Sequence, residues 1–103
     1  MLRPKDVVHT WVDAFNRADV DALASLYADD AVNHQVVFDP VNGRTAIREM
    51  FVREFAQAKM TCLVENLFED GDWAILEWRA ANGHRGCSLF RVKRGEIELQ
   101  REY

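Results

Sequence analysis

Three histidines, two cysteines and a group of aromatic residues are the side chains in this 103-residue sequence whose types first suggest chemistry. His9, His34 and His84 are widely separated, so no two have ligand spacing on one element and no metal site is expected. Cys62 and Cys87 form no CxxC motif and are expected as reduced, buried thiols. The sequence contains no Gly-rich phosphate loop and no nucleophile elbow. His9 falls opposite the apolar stripe of the first helix and should be at the surface. His34 alternates with Val32, Val36 and Phe38, which groups it with the apolar face of a strand. His84 adjoins a hairpin turn, where exposure is the plain expectation. Trp11, Phe15, Phe51, Phe55, Trp78 and Phe90 could line a ligand pocket or fill a small core.

The elements that must position these residues follow from periodicity. Val7, Val8, Trp11, Val12 and Phe15 recur at helical spacing, which predicts a helix over 5–16 with Pro4 at its start. Asp19 is a good N-cap for a second helix, Val20 to Tyr27, ended by Asp29-Asp30. The valine-rich stretch Ala31 to Phe38 reads as a strand, and residues 39–43 as a turn. Ile47, Met50, Phe51 and Phe55 mark a third helix over 45–57. Beyond residue 58 the period becomes two, with strands expected at 59–69, 73–81, 84–92 and 97–103. The intervening breaks are Asp70-Gly71, Asn82-Gly83 and Arg94-Gly95, and the first two are hairpin signals for type I′ turns. The last four strands should form an antiparallel meander. Segregated helices and strands make the chain a single α+β domain over 1–103, a curved sheet wrapped over helices.

Composition narrows the function classes. Thirteen basic residues against seventeen acidic ones give a net charge of −4, with no basic face for nucleic acid or an acidic membrane surface. The 49% hydrophobic content excludes disorder as the main state. The longest apolar run is Trp73-Ala74-Ile75-Leu76, far short of a membrane span of about 20 residues. Met1-Leu2-Arg3-Pro4-Lys5-Asp6 has no apolar signal core, so a cytoplasmic location is expected.

Four stretches, in this order, carry a resemblance: Trp11 to Leu23 (WVDAFNRADVDAL), Leu26 to Val32 (LYADDAV), Val41 to Ile47 (VNGRTAI) and Phe90 to Ile97 (FRVKRGEI). They resemble the SnoaL-like polyketide cyclase group of the nuclear-transport-factor-2-like superfamily, with limonene epoxide hydrolase and ketosteroid isomerase as relatives. The resemblance implies a cone, also called cystatin-like: a bent sheet closed by three N-terminal helices around a central pocket, often paired as a dimer. It implies no cofactor.

The resemblance also assigns site positions. The isomerase tyrosine and two aspartates fall on Trp11, Gln35 and Ser88; an amide cannot act as a base near neutral pH, so steroid isomerisation is not expected. The water-activating carboxylate of the epoxide hydrolases falls on Glu102, with Asn33 and Gln35 at the places of its two partners. The aspartate and arginine that would handle the epoxide oxygen fall on Ala80 and Trp78, so that half is missing, and Arg79 lies on the opposite face. The cyclase histidine falls on His84 and its aspartate on Ser88. On this alignment Asn33 and Gln35 face the pocket and His34 faces outward. Gln100 joins the six aromatic residues as a pocket-lining candidate. Relatives carry a longer excursion after the histidine turn and continue beyond the position of Tyr103, so the site is expected to be more open or completed by a partner subunit.

A Glu102 carboxyl on an apolar pocket face would be desolvated and raised toward a useful base range. The expected function is therefore binding of a small hydrophobic molecule, with acid–base isomerase, cyclase or hydrolase chemistry by Glu102 and positioning by Asn33, Gln35 and Ser88. The competing class is a non-catalytic binding or dimerisation module on the same fold. Alternation places Ile75, Leu89, Ile97, Leu99 and Tyr103 on the outer sheet face, which predicts a homodimer packed through the sheets.

Overall fold

The computed structural model describes residues 2–103. Helix α1 spans Pro4–Asn16, with proline in its first turn and Val7, Val8, Trp11, Val12, Ala14 and Phe15 buried. Helix α2 is shorter than expected, Val20–Ser25, and Asp19 caps it by accepting from the Ala22 amide at 3.1 Å. Asp29 and Asp30 do not end that helix. They lie in strand β1, Tyr27–Gln35, which starts earlier than the valine-rich stretch suggests. The expected turn contains a two-residue strand β2, Val41–Asn42, and helix α3 follows at Arg44–Gln57. Strands β3 (Leu63–Asp70), β4 (Trp73–Arg79), β5 (Arg85–Lys93) and β6 (Glu96–Glu102) complete the chain.

The six strands form one sheet in the order β2-β1-β6-β5-β4-β3. The last four are the expected antiparallel meander. The pairing of β1 with β6 is parallel, with Asn33 opposite Gln100 and Gln35 opposite Glu102. Neither dipeptide read as a type I′ signal forms such a turn: at Asn82-Gly83 only Gly83 has positive φ (93°), and the turn after Asp70 is of another type. Arg94 and Gly95, between β5 and β6, both have positive φ (55° and 77°), as a type I′ turn requires. Between β3 and β4 the central pair is Gly71-Asp72, and of these only Gly71 has positive φ, as a type II′ turn requires.

The core lies between the concave sheet face and the helices. Ala74 and Leu76 from β4, Ser88, Phe90 and Val92 from β5, and Ile97 from β6 are buried in this core. Trp11 stacks on Phe15 at 4.9 Å between ring centroids and meets Phe90 edge-on at 5.3 Å. The Asn16 side chain clamps the segment before β3, donating to the Cys62 carbonyl at 3.0 Å and accepting from its amide at 2.7 Å.

Ile97 departs from the expected outer face: it is fully buried. The reason is a bulge. Val92 pairs with Ile97 but Arg91 pairs with Leu99, so Glu98 is an extra residue on β6. It shifts the inward–outward alternation by one, placing Ile97 inward before the bulge and Gln100 and Glu102 inward after it. Leu99 stays outward and half-buried. Ile97→Ala is therefore expected to cost about 2–5 kcal/mol of stability and Leu99→Ala about 1 kcal/mol or less, measured by urea unfolding. Equal losses would mean the two side chains share a face.

Candidate functional site

A pocket of about 600 Å³ opens at the end of the cone formed by the C-terminal ends of β1 and β6, the end of α3 and the β4–β5 turn. Trp11, Phe15, Met50, Phe51 and Trp78 supply apolar walls, and Asn33, Gln35, Glu54, Gln100 and Glu102 the polar groups. Its size falls within the range of small-molecule sites, roughly 300–1,000 Å³.

Glu102 is half-buried, and its carboxylate accepts three hydrogen bonds. Ser88 Oγ donates to Oε1, Gln100 Nε2 donates to Oε1 at 2.9 Å, and Trp78 Nε1 donates to Oε2 at 3.2 Å. Trp78 Nε1 also donates to Ser88 Oγ at 3.0 Å. The indole reaches both because its cross-strand neighbour is Gly86: a Cβ there would lie 2.2 Å from Trp78 Cζ2. Burial pushes the Glu102 carboxyl above its ordinary value. Hydrogen bonds from Ser88, Gln100 and Trp78 oppose that push, and the charge of Glu54 adds to it.

The hydrogen bonds run inward from Glu102 with a fixed polarity. Because an ionised carboxylate only accepts, Gln100 must present its amide nitrogen to Glu102 and its oxygen to the interior. That oxygen accepts from the Tyr27 hydroxyl and from Asn33 Nδ2 at 3.1 Å. Tyr27 Oη in turn accepts from Trp11 Nε1 at 3.0 Å. The chain ends on Asn33 Oδ1, a buried acceptor without a hydrogen-bond partner. Gln35 serves a different carboxylate, donating to Glu54 Oε2 at 3.3 Å. Burial raises the Glu54 carboxyl, opposed by that bond and by the charge of Arg53.

The expected site residues divide accordingly. Asn33, Gln35, Gln100, Glu102, Trp11, Phe15, Phe51 and Trp78 line the pocket. Ser88 lies behind Glu102 and is fully buried. Phe90 and Phe55 are packed beside the lining: Phe90 under Trp11, Phe55 between Phe15 and Phe51. His84 is exposed outside the pocket, and the same turn presents Ala80, Ala81 and Asn82 to it instead. His34 is half-buried outside the lining, with Nε2 3.0 Å from the Phe38 carbonyl oxygen. His9 is exposed. Tyr103, expected on the outer face, contributes to the pocket rim and is 59% exposed. Cys62 is buried on the pocket wall, where burial pushes its thiol up to about 11. Cys87 is only half-buried, and both cysteines are free thiols. No group of three His, Cys, Asp or Glu residues able to hold a metal occurs among the described residues.

Sequence reading missed Tyr27 and Glu54. Tyr27 looked like the end of a helix. Glu54 carried a usable signal: it stands at i+7 from Ile47, i+4 from Met50 and i+3 from Phe51, a carboxylate on the apolar stripe of α3.

The profile of the SnoaL-like domain family matches residues 8–99. No curated protein matches the chain significantly. Among solved structures, a candidate polyketide cyclase from Sinorhizobium meliloti is 24% identical with a TM-score of 0.88, covering 95% of this chain and 94% of that one. A protein with a ketosteroid isomerase-like fold from Catenulispora acidiphila, in complex with trimethylamine, is 21% identical with a TM-score of 0.86, covering 99% and 86%. An LEH-like epoxide hydrolase from M. tuberculosis is 20% identical with a TM-score of 0.85, covering 97% and 80%. These likenesses are of fold.

The raised Glu102 carboxyl has a definite consequence for stability. Its folded-state pKa lies above its unfolded-state value, so the folded state binds more protons and gains stability as pH falls from neutral through the raised value toward about 4.3. Glu102→Gln removes that linkage. Relative to the variant, the native protein is expected to gain melting temperature as pH falls from neutral into the ordinary carboxylate range. Thermal unfolding of both proteins across pH checks this, and a constant difference between them contradicts it.

Proposed function

The chain belongs to the SnoaL-like domain family, and from that premise we propose that its pocket binds a small hydrophobic molecule and transfers a proton with Glu102 as general base. The observation that carries this reading is a carboxylate on the wall of an apolar pocket, held by Ser88, Gln100 and Trp78 and raised by burial. A base raised toward the working pH both stays available and gains proton affinity. Removal of a proton beside a carbonyl, or from a water that attacks an electrophile, is the step common to isomerase, cyclase and hydrolase chemistry on this site.

Ser88 and Gln100 act as positioning groups, since both hold Oε1 of Glu102. Asn33 acts one step further back, through Gln100. Gln35 positions Glu54. A non-catalytic binding module is the second reading, favoured by Ala80 and Trp78 at the places where an electrophile-activating acid and arginine would be needed.

A thermal-shift screen of small polyketides, terpenoid epoxides and steroids identifies a ligand, since one at 100 times its Kd adds about 2.7 kcal/mol. With that ligand, Glu102→Gln is expected to lower turnover by about 10²–10⁴-fold while binding persists. Unchanged turnover in the variant overturns the role of Glu102.

The domain is proposed to pair with a second copy through its outer sheet face. Phe68, Ile75 and Leu89 stand opposite one another across β3, β4 and β5, and Phe68 is 53% exposed. Leu99 lies nearby on β6, opposite Arg91. A contiguous apolar row of this kind is suited to an isologous contact. Sedimentation at micromolar concentration is expected to give a dimer; a monomer alone overturns the proposal.

A further inference from the structure

Two carboxylates face the pocket from opposite layers, Glu54 from α3 and Glu102 from β6. Among the described residues, neither has a cationic partner within 4 Å. Arg53, beside Glu54, and Lys59, at the rim, are exposed. Of the other ionisable groups, the Cys62 thiol is held neutral by burial and the Tyr103 phenol stands at the exposed rim. Asn33 also borders the pocket at 2% exposure, and its Oδ1 has no partner. That acceptor cannot be exchanged for a donor by turning the amide over. Its nitrogen is committed to Gln100 Oε1, whose orientation is fixed by the bond from Gln100 Nε2 to Glu102.

The polar equipment of the pocket is thus weighted toward acceptors and negative charge, while Trp11, Phe15, Phe51 and Trp78 offer aromatic surface. An uncharged apolar ligand would leave two desolvated carboxylates facing it without a counter-charge. An anion would be repelled by both. A protonated amine on an apolar body supplies the missing charge and N–H donors and can lie against aromatic faces.

We propose that the ligand of this pocket is a hydrophobic amine, bound as its ammonium ion with Glu54 as the anchoring carboxylate. The inference deepens the small-molecule reading above and rests on it. Glu54 is the anchor because Ser88, Trp78 and Gln100 already engage Glu102, whereas Glu54 has only the Gln35 bond. Ionised Glu54 is also the form an ammonium ion stabilises, so binding draws its carboxyl back down.

The test uses three probes with one body: 2-naphthylmethylamine, 2-naphthylmethanol and 2-naphthoate, titrated into the full chain by calorimetry or NMR at neutral pH. The amine is expected to bind about tenfold or more tightly than the alcohol, and the carboxylate most weakly. Glu54→Gln should bring the amine to about the level of the alcohol, with a native-like amide NMR spectrum showing that the variant is folded. The amine's advantage should shrink on acidification through the carboxylate range, while the alcohol's affinity stays constant. If the alcohol or the carboxylate matches the amine, or the amine keeps its advantage in Glu54→Gln, the amine proposal fails and the pocket reading stands. If none of the three binds, both fail.

Discussion

One extra residue in β6 is the constraint on which this molecule depends. A regular strand alternates faces, so Ile97 and Glu102, five positions apart, could not both point inward. The bulge at Glu98 resets the phase between them. Ile97 can then close the packed end of the cone while Gln100 and Glu102 enter the open end. β6 lies between β1 and β5, so the reset brings Gln100 beside Asn33 and Glu102 beside Gln35 on one side and Ser88 on the other. Core packing and pocket chemistry are in this sense two consequences of one local register change.

The polar chain that follows is ordered by the kind of group at its outer end. Glu102 accepts only, so every amide behind it is forced into one orientation as far as Asn33. Tyr27 closes the branch toward α1 by accepting from Trp11. A buried network of this type is costly if half-satisfied and rigid if satisfied. Here all its bonds are made except at Asn33 Oδ1, which borders the pocket.

Much of the architecture was legible in the sequence because it rests on periodicity. The stripes of α1 and α3 and the period-two pattern after residue 58 place the helices on the concave face of a meander. The start of β1 was not legible: Asp29 and Asp30 are exposed in a register break between Tyr27 and Val32, the residues that pair with Ile97 and Leu99 of β6, and strand propensity does not register such a stretch. Ile97 was misplaced because Glu98 looks like any outward polar residue, and a bulge has no compositional mark there. In the site, Asn33 and Gln35 were placed inward by resemblance, against the simple alternation that grouped His34 with the valines. Glu54 was readable from its place on the helical stripe but does not stand out by residue type. Tyr27 was hidden by the wrong element assignment.

Gly86 does not line the pocket, yet the indole of Trp78 occupies the space where its side chain would stand. Even a methyl group at that position would displace a wall residue that also donates to Ser88 and Glu102. The dimensions of the cavity are therefore written partly on a neighbouring strand, in a residue outside the lining. Divergence among proteins of this fold can retune what they admit by changing such a backing position and leaving every contact residue in place.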